Sequence, residues 1–215
     1  MATWKAIALV EAISNITNNI FVLPVIQRRL VWDTDKMELL FDTLLKGDSF
    51  GGIMVLKEDK NTKPLFAFRY FTKDGSNIGS ISVNSLEQDI YLIIDGQQRL
   101  QSFYIGLAGT FEGKQLYFNL LSDYRNLDFD FRFAAKQDEL KDKTKGDDGD
   151  EFRNEWISVI SLFNRLKDTY DADQVSDEII KSREITDENE KAKIRKNILA
   201  FYNNIFSTPS IGISS

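Results

Sequence analysis

Residues 91–100, YLIIDGQQRL, are the stretch that decides the fold. An apolar run ends in Asp95-Gly96, and helical spacing begins at Leu100. This order predicts a strand buried on both faces, a tight turn and the start of a helix. The first turn of a helix presents backbone N–H groups and the positive end of the helix dipole, so it suits an anion. The turn therefore predicts a phosphate site, unless Asp-Gly stands there for turn geometry alone.

A second polar element lies near the N-terminus, where residues 23–32 read LPVIQRRLVW and precede a clear helical pattern. Together the two elements resemble the ParB-like N-terminal domain, with its DGQQR motif, of GmrS-type (type IV) modification-dependent restriction systems. That family carries a Pro-x-x-Gln-Arg-x-x-x-Trp stretch, a helix, a glycine-rich turn, a strand and Asp-Gly-Gln-Gln-Arg. The matching residues here are Pro24, Gln27, Arg28, Trp32, Gly51, Gly52 and Asp95 to Arg99. Ile26 stands where the family usually has tyrosine.

The alternation of strand-like and helical segments predicts an α/β fold. The resemblance implies the ParB/sulfiredoxin-like form, a small mixed sheet with flanking helices, over residues 1–135 as the ParB-like DGQQR domain. Residues 136–151 are dense in Lys, Asp and Gly and predict a charged loop. Residues 152–215 are expected to form a helical region that is truncated at its C-terminus, because in the family this part continues and a nuclease domain often follows.

Periodicity predicts the individual elements. Residues 35–46 have the clearest helical pattern, with an apolar stripe and Gly47 as its stop. Trp32, just before that helix, either packs as core or stacks on a base. Gly51-Gly52 precede a strand and serve either as a turn or as backbone that faces a ligand. Further helices are expected at residues 3–13, 159–170 and 187–206, and strands at 21–23, 53–56, 65–71, 116–120 and 127–133.

Composition excludes several kinds of site. The 215 residues include neither cysteine nor histidine, which excludes disulfides, thiolate catalysis, cysteine-bound zinc, Ser-His-Asp triads and His-metal nuclease centres. A net charge of −6 is a poor signature for a nucleic-acid binder, whose surface is typically basic. No apolar run approaches the length of a membrane span, so we expect a cytoplasmic protein with no membrane partner.

The polar residues of the two elements fit the needs of a nucleoside triphosphate, which are N–H donors, a cationic fork and usually a divalent metal. Arg99 can fork onto a phosphate, and Asp95 is the expected ligand of Mg²⁺. Glutamine can bind phosphate or orient the attacking water. The phosphate-binding candidates are Gly96, Gln97, Gln98, Arg99, Gln27 and Arg28, and the catalytic candidates are Asp95, Gln98 and Gln27.

The resemblance implies a sensor in a bacterial or archaeal phage-defence system, a Mg²⁺-dependent NTPase whose hydrolysis is coupled to the restriction of modified DNA. The implied partners are a nucleoside triphosphate, DNA, and a nuclease in the missing C-terminal region or in a partner chain. Two alternatives stay open. One is a ParB-like module that binds DNA without hydrolysis, and the other is a non-enzymatic interaction domain. The residues that would line the DNA groove are Arg28, Arg29, Arg69 and Arg99.

Overall fold

The computed structural model describes residues 4–26, 30–48, 51–141, 143–145 and 151–214. The strands in these ranges are β1 (Trp4–Ile7), β2 (Phe21–Pro24), β3 (Ile53–Glu58), β4 (Phe68–Arg69), β5 (Ile90–Asp95), β6 (Gln115–Asn119), β7 (Phe131–Ala134), β8 (Lys143–Lys145), β9 (Glu151–Arg153), β10 (Trp156–Ser158) and β11 (Ile211–Ser214). The helices are α1 (Leu9–Thr17), α2 (Thr34–Lys46), α3 (Gln97–Ala108), α4 (Val159–Thr169), α5 (Ala172–Ser182) and α6 (Glu188–Tyr202), with a 3₁₀ turn at Gln137–Glu139 and a π-helical turn at Asn203–Ser207.

The central element is a six-stranded mixed sheet with the strand order β1-β11-β3-β5-β2-β4. Strand β5 lies inside this sheet, antiparallel to β3 and parallel to β2. A second, antiparallel sheet has the order β10-β6-β7, and β8 pairs with β9. The predicted α/β fold is therefore confirmed.

Strand β5 is buried on both faces, as its continuous apolar sequence predicts. Leu92 and Ile93 are fully buried. Leu92 packs with Val22 and Phe68 in a small cluster, whereas Ile93 belongs to the main core. Because packing fixes the strand from both sides, the turn that follows at residues 95–96 starts from a defined position.

Helices α2 and α3 pack against each other in the main core. In α2, Asp33 caps the N-terminus, Gly47 ends the helix at φ +76°, and the apolar stripe is buried, so the predicted helix at 35–46 is confirmed. The Phe41 ring meets Phe103 of α3 edge-on at 5.5 Å between ring centroids. Gly106 lets the helices approach closely, because a Cβ there would lie 2.5 Å from the Phe41 ring.

The N-terminal segment differs from the helix predicted at residues 3–13. It forms strand β1, and helix α1 begins only at Leu9. Ile7 lies opposite Ile211 because β1 pairs with β11, far along the chain. The pairing of β1 with β11 overrides the local helical preference, so the sequence pattern around residues 3–13 does not predict it.

Other differences are smaller. Helix α5 was not predicted. The strands expected at 65–71 and 127–133 are shorter in the structure, where they are β4 and β7.

The residues after 151 share the main core with the first half of the chain. Leu162 of α4 and Ile198 of α6 lie in the same cluster as Phe41 and Phe103. Strand β11 lies between β1 and β3 in the central sheet and runs parallel to β3. The charged segment 136–151 contains the 3₁₀ turn and strand β8. The division into a domain at 1–135 and a helical region at 152–215 stays a prediction.

Candidate functional site

A cleft of about 300 Å³ opens where β5 meets α3. It joins the two polar elements of the sequence, because its lining residues come from the DGQQR turn and from the segment before α2. Those residues are Trp32, Ile94, Asp95, Gly96, Gln97, Gln98 and Arg99. Gln27 and Arg28, which were predicted to act at this site, lie outside the described residues, as does Arg29.

One hydrogen bond connects the two elements directly. The backbone N–H of Val31 donates to the Gln98 side-chain oxygen Oε1 at 2.9 Å. The Ser102 hydroxyl in turn donates to the Gln98 carbonyl at 2.8 Å, one turn further along α3. Gln98 thereby fixes the end of the 23–32 segment against the first turn of α3.

Gly96 is the N-cap of α3 and has φ +85°, in the left-handed region that favours glycine. It also lacks room for a side chain, because a Cβ would lie 2.6 Å from Ile53 Cγ2 and 3.2 Å from Arg99 Nη2. The first turn of α3 contains no acidic residue. Gly96 therefore places backbone without a side chain at the positive end of the helix dipole.

Arg99 is half-buried and reaches across to the turn before β3. Its Nη2 donates to the Gly52 carbonyl oxygen at 2.8 Å. A guanidinium carries five N–H donors in a planar fork, so this group type can bind a carbonyl and an anion together. The structure thus places Arg99 at the cleft, as predicted, and adds a contact that the sequence pattern does not show.

Asp95 is exposed at the end of β5, opposite Met54 of β3. It is the one carboxylate among the described residues that line the cleft. Within the described ranges no three acidic side chains converge as ligands of a metal. One carboxylate combined with substrate phosphates, which is common for Mg²⁺, fits the residues present.

Trp32 and Arg69 bear on the alternatives left open by the sequence. Trp32 is half-buried, packs against the main core and also lines the cleft. The core alternative is confirmed, and stacking on a base stays a prediction. Arg69 is only 7% exposed in strand β4. A buried guanidinium cannot line a DNA groove together with Arg99, so that part of the DNA-binding alternative is wrong.

A second, strongly acidic pocket was not predicted. Its lining includes Asp35, Glu38 and Asp42 of α2 together with Asp128 and Asp130. The sequence signals for it are the four-residue spacing of Glu38 and Asp42 and the alternation of acids with phenylalanines before β7. Glu38 accepts the Phe133 backbone N–H at 2.7 Å, and Asp42 accepts the Phe129 backbone N–H at 3.0 Å. Burial raises the pKa of Glu38 and of Asp130 beside it. These carboxylates cover the backbone around β7, which explains them as structural groups.

Comparison with known families agrees with the two sequence elements. The family model described as GmrSD restriction endonuclease, N-terminal domain, matches residues 9–213. A search of curated proteins gives no match. None of the helices in the described part of the chain is long and apolar enough to span a membrane. The resemblance inferred from residues 23–32 and 95–99 is confirmed: the chain belongs to the family of GmrSD restriction endonuclease N-terminal domains, and hence to a restriction system that defends against phage by acting on modified DNA.

Proposed function

We propose that this domain binds a nucleoside triphosphate in the cleft at the start of α3 and hydrolyses it as the sensor step of the restriction system. One contact carries the proposal, the hydrogen bond from Val31 N–H to Gln98 Oε1. It joins two polar elements that lie far apart in the sequence, and it does so at the N-terminus of a helix. A simple surface turn has no need to hold a distant polar segment against it.

The phosphate chain would lie over the first turn of α3. Gly96 allows close approach to the backbone, and the positive end of the helix dipole favours an anion. Arg99 would hold one phosphate through a charge-assisted fork while its Nη2 stays bound to the Gly52 carbonyl. Arg28, outside the described residues, is proposed as the second positive charge.

Asp95 is proposed to hold Mg²⁺ together with the phosphate oxygens, since it is the carboxylate at the cleft. When bound, such a metal neutralises charge on the phosphates. We propose that Gln98 positions the phosphate chain, because its Oε1 accepts the Val31 N–H and so fixes the side chain at the start of the helix. Gln97 and Gln27 are then the candidates for orienting the water.

The test is a thermal-shift panel with ATP, GTP, CTP and UTP, each with and without Mg²⁺, followed by a phosphate-release assay for every nucleotide that binds. Ligand at about 100 times its Kd stabilises a protein by roughly 2.7 kcal/mol, which a melting curve resolves. We expect stabilisation that depends on Mg²⁺ and release of inorganic phosphate. Absence of any shift with all four nucleotides would contradict the proposal.

A parallel DNA-binding assay separates the alternatives. DNA binding without hydrolysis predicts affinity for DNA that falls steeply with salt, and no response to nucleotide. A non-enzymatic interaction domain predicts neither response. We also expect the chain to leave plasmid DNA uncut with Mg²⁺ or Mn²⁺, because in the family a nuclease domain often follows this one, and the chain itself contains no histidine or cysteine. Nuclease chemistry is accordingly proposed for another domain or a partner chain.

A further inference from the structure

The turn before β3 contains a glycine, Gly51, and the guanidinium of Arg99 occupies the space that a side chain at this position would fill. Gly51 has φ +81°, and a Cβ built on it would lie 2.7 Å from Arg99 Nη1 and 3.6 Å from Arg99 Cζ. Its neighbour Gly52 accepts a hydrogen bond from Arg99 Nη2 at 2.8 Å. The two glycines therefore act on the same guanidinium, one by leaving space and one through its carbonyl.

The same guanidinium also lies close to the glycine that precedes α3. A Cβ on Gly96 would lie 3.2 Å from Arg99 Nη2. The Arg99 guanidinium is thus close to glycine backbone both in the turn before β3 and in the turn before α3. A long, flexible arginine that is already held in place loses less side-chain entropy when it binds a ligand.

From this geometry we infer that the Gly51-Gly52 turn is a positioning element for Arg99 in the anion site. The inference rests on the proposed function, and it assigns the glycine pair a role that acts through Arg99. Gly51 provides the space that the guanidinium occupies, and the Gly52 carbonyl sets the orientation of its plane. The ligand class is the polyphosphate chain, whichever base it carries.

A purely structural role for Gly51 is the competing explanation, since its positive φ alone favours glycine. Gly113 is a matched control. It has φ +77° in the turn between Phe111 and Lys114, and a Cβ there meets nothing within 4 Å. Replacing either glycine by alanine imposes similar backbone strain, but only Gly51→Ala displaces Arg99.

The experiment measures the Kd of inorganic tripolyphosphate with Mg²⁺ by calorimetry, together with the melting temperature. This probe carries the phosphate chain without a base. We expect Gly51→Ala to weaken binding about tenfold or more, the scale of one lost charge-assisted hydrogen bond. Gly113→Ala should lower the melting temperature to a similar extent and leave the Kd unchanged.

A double-variant cycle tests whether Gly51 acts through Arg99. In the Arg99→Ala background, Gly51→Ala should cause no further loss of affinity. An equal loss with and without Arg99, or wild-type affinity in Gly51→Ala, would overturn the positioning role alone. Failure of the unmodified protein to bind tripolyphosphate would overturn both this role and the anion site.

Arg99→Lys covers the case in which Gly51→Ala does not fold. Lysine keeps the positive charge but lacks the planar fork that reaches a carbonyl and a phosphate together. We expect the same loss of about tenfold or more in tripolyphosphate affinity. Wild-type affinity in Arg99→Lys would show that charge suffices and that positioning by the glycine turn is unnecessary.

Discussion

Helices α2 and α3 pack against each other through Phe41 and Phe103, yet they begin in opposite ways. At the start of α2, the Asp33 carboxylate accepts the Lys36 backbone N–H at 3.0 Å, and the first turn carries a further acid. Helix α3 begins at a glycine and has no acid in its first turn. Both helices have the same dipole and the same backbone groups, so the difference lies in what the sequence places at the N-cap.

An acidic N-cap satisfies the end of a helix with charge from the chain itself. A glycine N-cap leaves that positive end to be matched by another group. We therefore propose the start of α3, and not that of α2, as the anion site, although α2 has the more regular sequence. It also indicates which variants should change ligand binding and which should change stability alone.

The largest effect is expected from Arg99→Ala. The variant loses the proposed phosphate fork, and tripolyphosphate or nucleotide affinity should fall about tenfold to a hundredfold. It also loses the bond to the Gly52 carbonyl, so a lower melting temperature is expected for a protein that remains folded. Calorimetry and circular dichroism measure the two effects. Arg125→Ala is the control, because this exposed arginine contacts Tyr124 elsewhere. Unchanged affinity in folded Arg99→Ala would remove the site from this turn.

Asp95→Asn should have the next largest effect, and this effect should be limited to the Mg²⁺-dependent part of ligand binding. If Asp95 holds Mg²⁺, the Mg²⁺-dependent part of nucleotide stabilisation disappears while metal-free binding persists. Asp89→Asn is the control, since Asp89 is an exposed carboxylate just before β5 that bonds Lys60 and Lys57. A Mg²⁺ titration by thermal shift distinguishes the two variants. An equal loss of stability with and without ligand would show that Asp95 only shapes the turn.

Gln98→Ala removes the bond that joins the two elements and should cost at most about 1 kcal/mol of unfolding free energy, because a solvent-exposed hydrogen bond contributes little. We expect the loss of nucleotide-binding free energy to be larger than the loss of unfolding free energy. The control is Gln88→Ala, where an exposed glutamine bonds the distant carbonyls of Asn18 and Asn19. Urea unfolding and calorimetry are the measurements. Equal affinity in the two variants would mean that the Val31 contact is incidental.

Asp33→Asn, at the start of α2, is expected to leave ligand binding unchanged and to affect stability alone. The Lys36 backbone N–H holds the pKa of Asp33 below its usual value of 3.8. The contribution of the Asp33 carboxylate to stability is therefore present above pH 3.8 and is lost as pH falls through the lower pKa of the folded state. Asp33→Asn keeps a capping side chain without the charge. Urea unfolding should show the wild-type advantage over Asp33→Asn disappear in acid, and a change in tripolyphosphate affinity would refute the comparison.

The start of α3 was predictable because its signals are local. An apolar run, an Asp-Gly turn and helical spacing lie within residues 91–107, and the structure has β5, Gly96 and α3 there. Helix α2 was predictable for the same reason. The contacts of Arg99 with the Gly51-Gly52 turn and of Gln98 with Val31 were not, because they join residues far apart in the chain.

The sequence by itself determined the α/β class, the position of the polar turn and the family, since these depend on periodicity and on residue order. Only the tertiary structure decided that Arg69 is buried, that Glu38 and Asp42 serve backbone groups, and that β1 and β11 join the central sheet. The reason is physical. Periodicity reports which face of an element is apolar, whereas burial of a charge or pairing of a distant strand depends on what the rest of the chain places against it.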